Sequence, residues 1–467
     1  MHFWIAARLH LYHLSCVRFF RRVTPVSLIV TALAVLGTPA LLLAHARLLR
    51  SMPAENAVLL ESPTALSLWF SEKPELRLTK IQLLDSAGKS IPVGAVARIA
   101  TDPMGVTVGI TDSLPNGRYS ISWRTTGADG HLSTGKISFT VDVRQQAEEP
   151  VATPIPTPQQ PVPNTVLETT DTTVFSTSAR WVELVALLTL IGATVFCLYI
   201  LPGASLSMAE AEEATDRARR LASAVLVLFI ATSLWRLSSQ GALIPGDRIE
   251  AMLEVIKETR WGLFWAIGMA GAIVVAVGLV MSNFTPTGWT VAGLGVLAVC
   301  LGEGLTGHAA ALRDNASLGT AIDLTHLVSA GGWLGGLVAV LLCGLPATSR
   351  LDDAEQRRTG RQLVRAYHRT ALICVLCVLL SAFAAAYLRL ASFDELWTTA
   401  YGEMLFRKTI FVLVVIGFGV YHWIFVVARN WDSDTAFRFK RSATFELVAG
   451  AVVVAFTALL VATALPH

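Results

Sequence analysis

The chain has 467 residues, of which 53% are hydrophobic and 15% charged, with a formal net charge of +3 and a mean hydropathy of +0.56. A soluble globular chain carries about 25% charged residues, so most of this one belongs in lipid, and the length allows two or three domains. The small positive excess is not gathered into a basic tract, which argues against nucleic acid as a partner.

Export is the first legible feature. Arg18, Arg21 and Arg22 precede an apolar run from Val26 to Leu43, and small Ala44 follows where a signal peptidase would cut, so residues 1–44 read as a signal peptide. The polar-aromatic stretch ahead of Arg18 also leaves room for a start codon further downstream. Cleavage after Ala44 would make His45 the first mature residue, with its α-amino group and ring nitrogen closing one chelate on a metal. Cleavage after Ala46 fits the same small-x-small pattern and would discard His45. The local residues leave both open.

From residue 45 to 143 the pattern turns to alternation. Residues 65–70, 79–84, 106–110, 119–123 and 136–141 read as half-buried strands, with turns at Asp85–Gly88 and Leu114–Gly117. Short strands without a helix describe a small β-sandwich or barrel. Within it, Asp129-Gly130-His131 places a carboxylate and an imidazole two residues apart, on one side of an extended backbone. This is a metal pair or a solvated turn. The exported part has only two histidines, His45 and His131, and an antiparallel sandwich can set a first strand beside a late one. Cys16 lies in the leader and the other five cysteines in apolar segments, so no disulfide framework serves this domain. Cys374 and Cys377 form a C-x-x-C on an apolar helix and read as small buried hydrophobes.

Residues 144–178 hold the run PVATPIPTPQQPVPNT, whose proline density favours extended polyproline II geometry, a semi-rigid tether that leaves the β domain's orientation open. Residues 179–467 then contain apolar segments at about 180–201, 221–241, 260–282, 288–308, 321–345, 367–391, 405–428 and 443–465, each long enough to cross a roughly 30 Å hydrocarbon core as a helix. With the β domain outside, eight spans return the chain to that side. Arg217, Arg219, Arg220, the Arg350–Arg369 cluster, Arg429, Arg438, Lys440 and Arg441 then fall in cytoplasmic loops.

Polar groups at membrane depth mark function. Span four ends in Glu303-Gly304-Leu305-Thr306-Gly307-His308 and span five opens in Asp323-Leu324-Thr325-His326, so His308, Asp323 and His326 share a depth near the outer mouth. They are read as a metal site or as an interhelical hydrogen-bond network. Gly331–Gly336 with Trp333 allows close helix packing or a small cavity. Tyr367-His368-Arg369 and Tyr421-His422-Trp423 lie toward the opposite face, Glu183 and Glu446 are costly charges in spans one and eight, and Tyr401-Gly402-Glu403 reads as a surface anchor.

HARLLRSMPAENAVL, LSLWFSE and GRYSISWRTTGADGHLSTGKISFTV resemble the periplasmic copper-binding CopC family. The resemblance implies an immunoglobulin-like β-sandwich cut at Ala44/His45. It also implies a Cu(II) site made of the His45 amine and ring, the His131 ring and, more weakly, Asp129; only Met52 and Met104 are offered for a methionine-rich Cu(I) site. GHA at 307–309, DLTHLVSAGGWLGGL at 323–337, YHRTAL at 367–372 and YGEMLFRKTIF at 401–411 resemble the CopD family of inner-membrane copper proteins. Together they look like a CopC–CopD fusion: a multi-pass inner-membrane protein, not an enzyme, that captures Cu(II) in the periplasm and moves copper across the membrane, inward, in copper homeostasis or resistance. Expected partners are copper, the lipid bilayer and other periplasmic copper-handling proteins. Two rivals remain, a membrane-anchored copper-sequestering protein and a haem-binding electron-transfer protein, the latter without a c-type C-x-x-C-H site.

Overall fold

Alternation builds the first domain as it should. On β3 (Ala65–Phe70) the side chains of Leu66, Leu68 and Phe70 are buried and their neighbours half-exposed, and β8 (Gly117–Thr126) repeats this with Tyr119, Ile121 and Trp123. The computed structural model describes residues 48–71, 73–127, 132–142, 170–242, 244, 247–306, 316–390, 392–427 and 433–461. The other strands are β1 (Leu48–Met52), β2 (Val58–Leu59), β4 (Lys80–Leu84), β5 (Ser90–Ile91), β6 (Ala97–Arg98), β7 (Gly105–Gly109) and β9 (Leu132–Val141). They form a four-stranded sheet in the order β1-β3-β7-β6 and a five-stranded sheet in the order β2-β9-β8-β4-β5. The inner faces meet in one core of Leu66, Leu68, Phe70, Leu83, Val106, Ile121, Phe139 and their neighbours, a β-sandwich. Removing such a side chain from water contributes about 1.5–3 kcal/mol each. Gly135 faces Trp123 across the β8–β9 pair, where a Cβ would lie 2.5 Å from the indole.

The strands expected from the sequence are β3, β4, β7, β8 and β9; β1, β2, β5 and β6 were not expected. β1 is an edge strand whose burial does not alternate, and the other three have two residues each.

The second part is helical. Its long helices are α1 (Thr170–Val195), α2 (Met208–Gly241), α3 (Arg248–Glu258), α4 (Arg260–Met281), α5 (Gly288–Leu305), α6 (Ala316–Ala330), α7 (Asp353–Arg389), α8 (Ala400–Tyr421) and α9 (Ser433–Val461). α6 runs on through wider π turns at Gly331–Gly335 and Val340–Gly344, and α1 and α8 end in similar turns at Phe196–Ile200 and His422–Val427. Among the described residues, eight helices are long and apolar enough to cross a membrane. α1 starts inside the stretch read as tether, because residues 170–178 carry no proline. α2 and α7 start well before their apolar runs: a capping box at Ser207 and Glu210 and an N-cap at Asp352 begin them in polar sequence.

Glycines set the closest helix contacts. Gly271 and Gly295 let α4 and α5 touch backbone to backbone, since a Cβ on Gly271 would lie 2.7 Å from Val299 N and one on Gly295 2.6 Å from Val275 N. A Cβ on Gly192 of α1 would collide with the Gly335 carbonyl, so the π turn carrying Trp333 is pressed against α1.

The β domain does not hang free on its tether. Leu78 is buried in a cluster with Leu237, Val255 and Trp261 from α2, α3 and α4. Arg77 lies 3.5 Å from Glu254 and 3.9 Å from Glu258, and the Arg260 backbone N–H donates to Glu75 Oε1 at 3.3 Å. The expectation of an unfixed orientation is corrected by α3, an amphipathic helix capped by Asp247 that the charged sequence hid in a loop.

Candidate functional site

His45, Asp129 and His131 lie outside the described residues, but the residues that flank them are placed. Leu48 opens β1 and pairs with Phe70; Thr126 closes β8 and pairs with Leu132, the first residue of β9. The Glu75 N–H donates to Thr126 O at 2.9 Å, and the Thr79 and Thr125 hydroxyls are 2.6 Å apart. One pole of the sandwich therefore carries the start of β1, the Thr126–Leu132 end of the β8–β9 pair and the segment docked on α3 and α4. Burial raises the Glu75 carboxyl above the usual carboxylate range, against the lowering effect of the Arg260 N–H and of Lys73, Arg98 and Arg260 charges. A carboxyl shifted this way favours the docked state when protonated and costs it stability as pH rises past the carboxylate range. Glu75→Gln keeps the acceptor for Arg260, so its melting temperature at pH 8 should equal or exceed that of the wild type; a lower one would show that the charge itself holds the dock.

Immediately behind this dock lies a buried four-charge network. Arg180 Nη1 contacts Glu183 Oε2 at 2.8 Å and Glu303 Oε2 at 2.6 Å, while Arg236 Nη1 contacts Glu183 Oε2 at 2.8 Å and Glu303 Oε1 at 3.3 Å. The Arg236 guanidinium also lies 5.5 Å from the Trp261 ring centre, tying the network to the Leu78 cluster. Two positive and two negative groups cancel, which is how lipid depth tolerates them. The sequence singles out Glu183 as a costly charge and carries Glu303 only within the end of span four; Arg180 and Arg236 it does not name.

Of the outer cluster, His308 lies outside the described residues. His326 Nδ1 sits 3.0 Å from Ser381 Oγ, whose hydroxyl donates to Cys377 O at 2.6 Å. The serine proton being spent on that carbonyl, Nδ1–H is the donor and His326 Nε2 keeps its lone pair, the tautomer a metal-ligating imidazole needs. Asp323 is differently placed: Arg389 Nη2 donates to both its oxygens, at 2.7 and 2.6 Å. Tyr401 is buried and hydrogen-bonds Arg389, so this tyrosine belongs to the network and is not the surface anchor expected from its position at the start of span seven. Among the described residues, no three histidine, cysteine or carboxylate side chains converge as a metal-ion set.

At the opposite end of the bundle a cavity of about 570 Å³ is lined by Trp333, Tyr367, His368, His422 and Glu446, with Arg365 and Arg369 also on its wall. Trp333 Nε1 donates to Glu446 Oε1 at 3.0 Å, and His422 Nδ1 lies 3.1 Å from Glu446 Oε2. Glu446 thus pairs with a histidine and a tryptophan. The sequence had named these residues singly; only packing brings them together.

Three family models match the chain: the CopC domain over residues 48–142, the copper resistance protein D-like N-terminal domain over 170–318, and copper resistance protein D over 361–460. Copper transport protein CutJ of Bacillus subtilis (strain 168) is 26% identical over 400 residues, covering 82% of this chain and 68% of its own. Protein YobA of Escherichia coli (strain K12) is 32% identical over 98 residues, 21% of this chain and 79% of YobA. Copper resistance protein C of Xanthomonas campestris pv. juglandis is 32% identical over 103 residues, 21% of this chain and 80% of its own. Among solved structures, CopC from Methylosinus trichosporium OB3b is 31% identical and covers 21% of this chain and 94% of its own, with a TM-score of 0.20.

Proposed function

The chain belongs to the CopC and CopD families of copper-handling proteins, joined in one multi-pass membrane polypeptide, and from that premise we propose that it captures Cu(II) outside the cell membrane and passes copper inward through the helical bundle. Capture is assigned to the His45 amine and ring, the His131 ring and Asp129. Nitrogen-rich donors suit the tetragonal preference of Cu(II), at the top of the divalent affinity series. The observation that carries the coupling is the dock: the sandwich pole flanking those residues rests on the end of the bundle that holds His326. Arginine-rich helix starts at the far end, in α2, α7 and α9, support a cytoplasmic position for that end and a periplasmic one for the β domain. Other periplasmic copper-handling proteins would deliver to or draw from the same pole.

Transfer is assigned to His308 and His326, with Asp323 joining them once Arg389 lets go. Isotopic copper uptake into cells should fall when His308 and His326 are both replaced; unchanged uptake sinks the intramembrane route. The Arg389 pairing favours a second reading, in which Asp323 serves packing and the bundle anchors a sequestering domain. Arg389→Gln separates the two. Release of Asp323 as a ligand should raise the copper retained by purified protein, whereas a packing role predicts a lower melting temperature with copper content unchanged.

A further inference from the structure

The far cavity contains a buried pair that capture and outer transfer do not use. His422 and Glu446 are each 1% exposed, on the π turn after α8 and in the cytoplasmic half of α9. Two ionisable groups at this depth cost several kcal/mol each in desolvation, and an apolar pair of similar volume would pack as well. Packing alone does not explain them.

The hydrogen bonds fix where a proton can sit. Ser442 Oγ donates to Arg438 O at 2.8 Å, so at its 2.6 Å contact with His422 Nε2 it is the acceptor, and Nε2 carries a hydrogen. That leaves His422 Nδ1 as the ring position facing Glu446 Oε2 at 3.1 Å. Glu446 Oε1 is committed to Trp333 Nε1, while Oε2 is buried and, among the described residues, makes no well-directed hydrogen bond. One proton therefore has two homes, Nδ1 and Oε2. A path to it exists. His368 Nδ1 donates to Val364 O at 2.8 Å, which leaves Nε2 as an acceptor, and its ring lies 6.2 Å from that of His422 in the wall of the cavity. The groups facing the pair are Arg365, Tyr367, His368 and Arg369 from α7, with Cys374 beyond Tyr367, Trp333 from α6, and Ser442 on α9. The Gly203–Ser205 loop adds no charge. Both direct partners of Glu446 sit on π turns, which occur often at functional positions.

We propose that His422 and Glu446 hold one exchangeable proton between Nδ1 and Oε2, loaded and unloaded through this cavity from the cytoplasmic face, and that copper passage is coupled to its movement. The coupling half rests on the transport reading above; the proton site does not. Full-length protein in liposomes containing a pH-sensitive dye, given external copper, should show a proton signal that accompanies copper entry. Glu446→Gln keeps the acceptor for Trp333 and should lose most of that signal, leaving copper flux indifferent to an imposed pH gradient. An unchanged ratio of protons to copper overturns the coupling, and a wild type that moves no copper overturns the transport reading instead. Infrared difference spectra of the solubilised protein across a pH step decide the site by themselves. A carboxyl C=O band should be present in the wild type, absent in Glu446→Gln and shifted in frequency in Trp333→Phe, which removes the bond to Oε1. No band that depends on Glu446 overturns the site, and the Trp333→Phe shift decides it should Glu446→Gln fail to fold.

Discussion

Mature protein with one extra residue ahead of His45 should bind Cu(II) on the order of a hundredfold or more weakly, since even outer-sphere changes at metal sites cost up to that much. The extra residue converts the His45 amine into an amide, which at neutral pH is no longer a ready donor, and it opens the chelate ring that amine and imidazole close together. His131→Ala removes a ring nitrogen from the other side and should cost a comparable factor, while Asp129→Asn, which keeps an oxygen, should cost less. Competition titration against a chelator of known affinity measures all three. Equal affinity in the extended and native proteins would eliminate the terminal chelate, and with it the significance of cutting at Ala44. The order of effects, amine and rings above carboxylate, follows from Cu(II) preferring nitrogen over oxygen donors.

How much of this was legible depended on whether a feature is local. β3 announces itself in ALSLWF because one face must be apolar and the other not; β1, an edge strand with the burial of a loop, does not. The spans are legible because crossing lipid demands long apolar runs, but α3 was lost, its charged residues being those of a helix that lies between a sandwich and a bundle. Site residues follow the same division. Glu183 and Glu446 stand out because a carboxylate in lipid needs a reason, whereas Glu303 reads only as part of the end of span four. The partners of Glu183 do not stand out: Arg180 and Arg236 sit near span ends, where arginine ordinarily anchors at the headgroups. A stricter count would have found them, since two lipid-depth glutamates require two cations. Asp323 and His326 were read as equivalent, and the hydrogen bonds separate them. The histidine ring is turned by a serine that leaves Nε2 its lone pair; the aspartate is held by an arginine 66 residues away in sequence, which no spacing rule could supply.

Glu303→Gln should destabilise the membrane domain by about 3–5 kcal/mol, the cost of breaking a buried charge set by deleting one partner. Arg180 and Arg236 would then share the single carboxylate of Glu183, and one positive charge would be left at lipid depth between α1, α2 and α5. Because Arg236 also lies over Trp261, and Trp261 packs on Leu78, the damage should spread to the dock. The β domain should become more accessible to protease at residues 73–79 than it is in the wild type. The double change Glu303→Gln with Arg180→Gln restores neutrality and should recover much of the loss; apolar replacements at the same two positions should do at least as well, since a desolvated ion pair seldom outcompetes well-packed hydrocarbon. Thermal unfolding in detergent, followed with limited proteolysis, measures each step. Should the single and double variants melt together, the network would not be acting as a charge-balanced unit. Its place beneath the dock would then owe nothing to electrostatics, and the coupling of sandwich to bundle would rest on Leu78 and the Arg77 pairs alone.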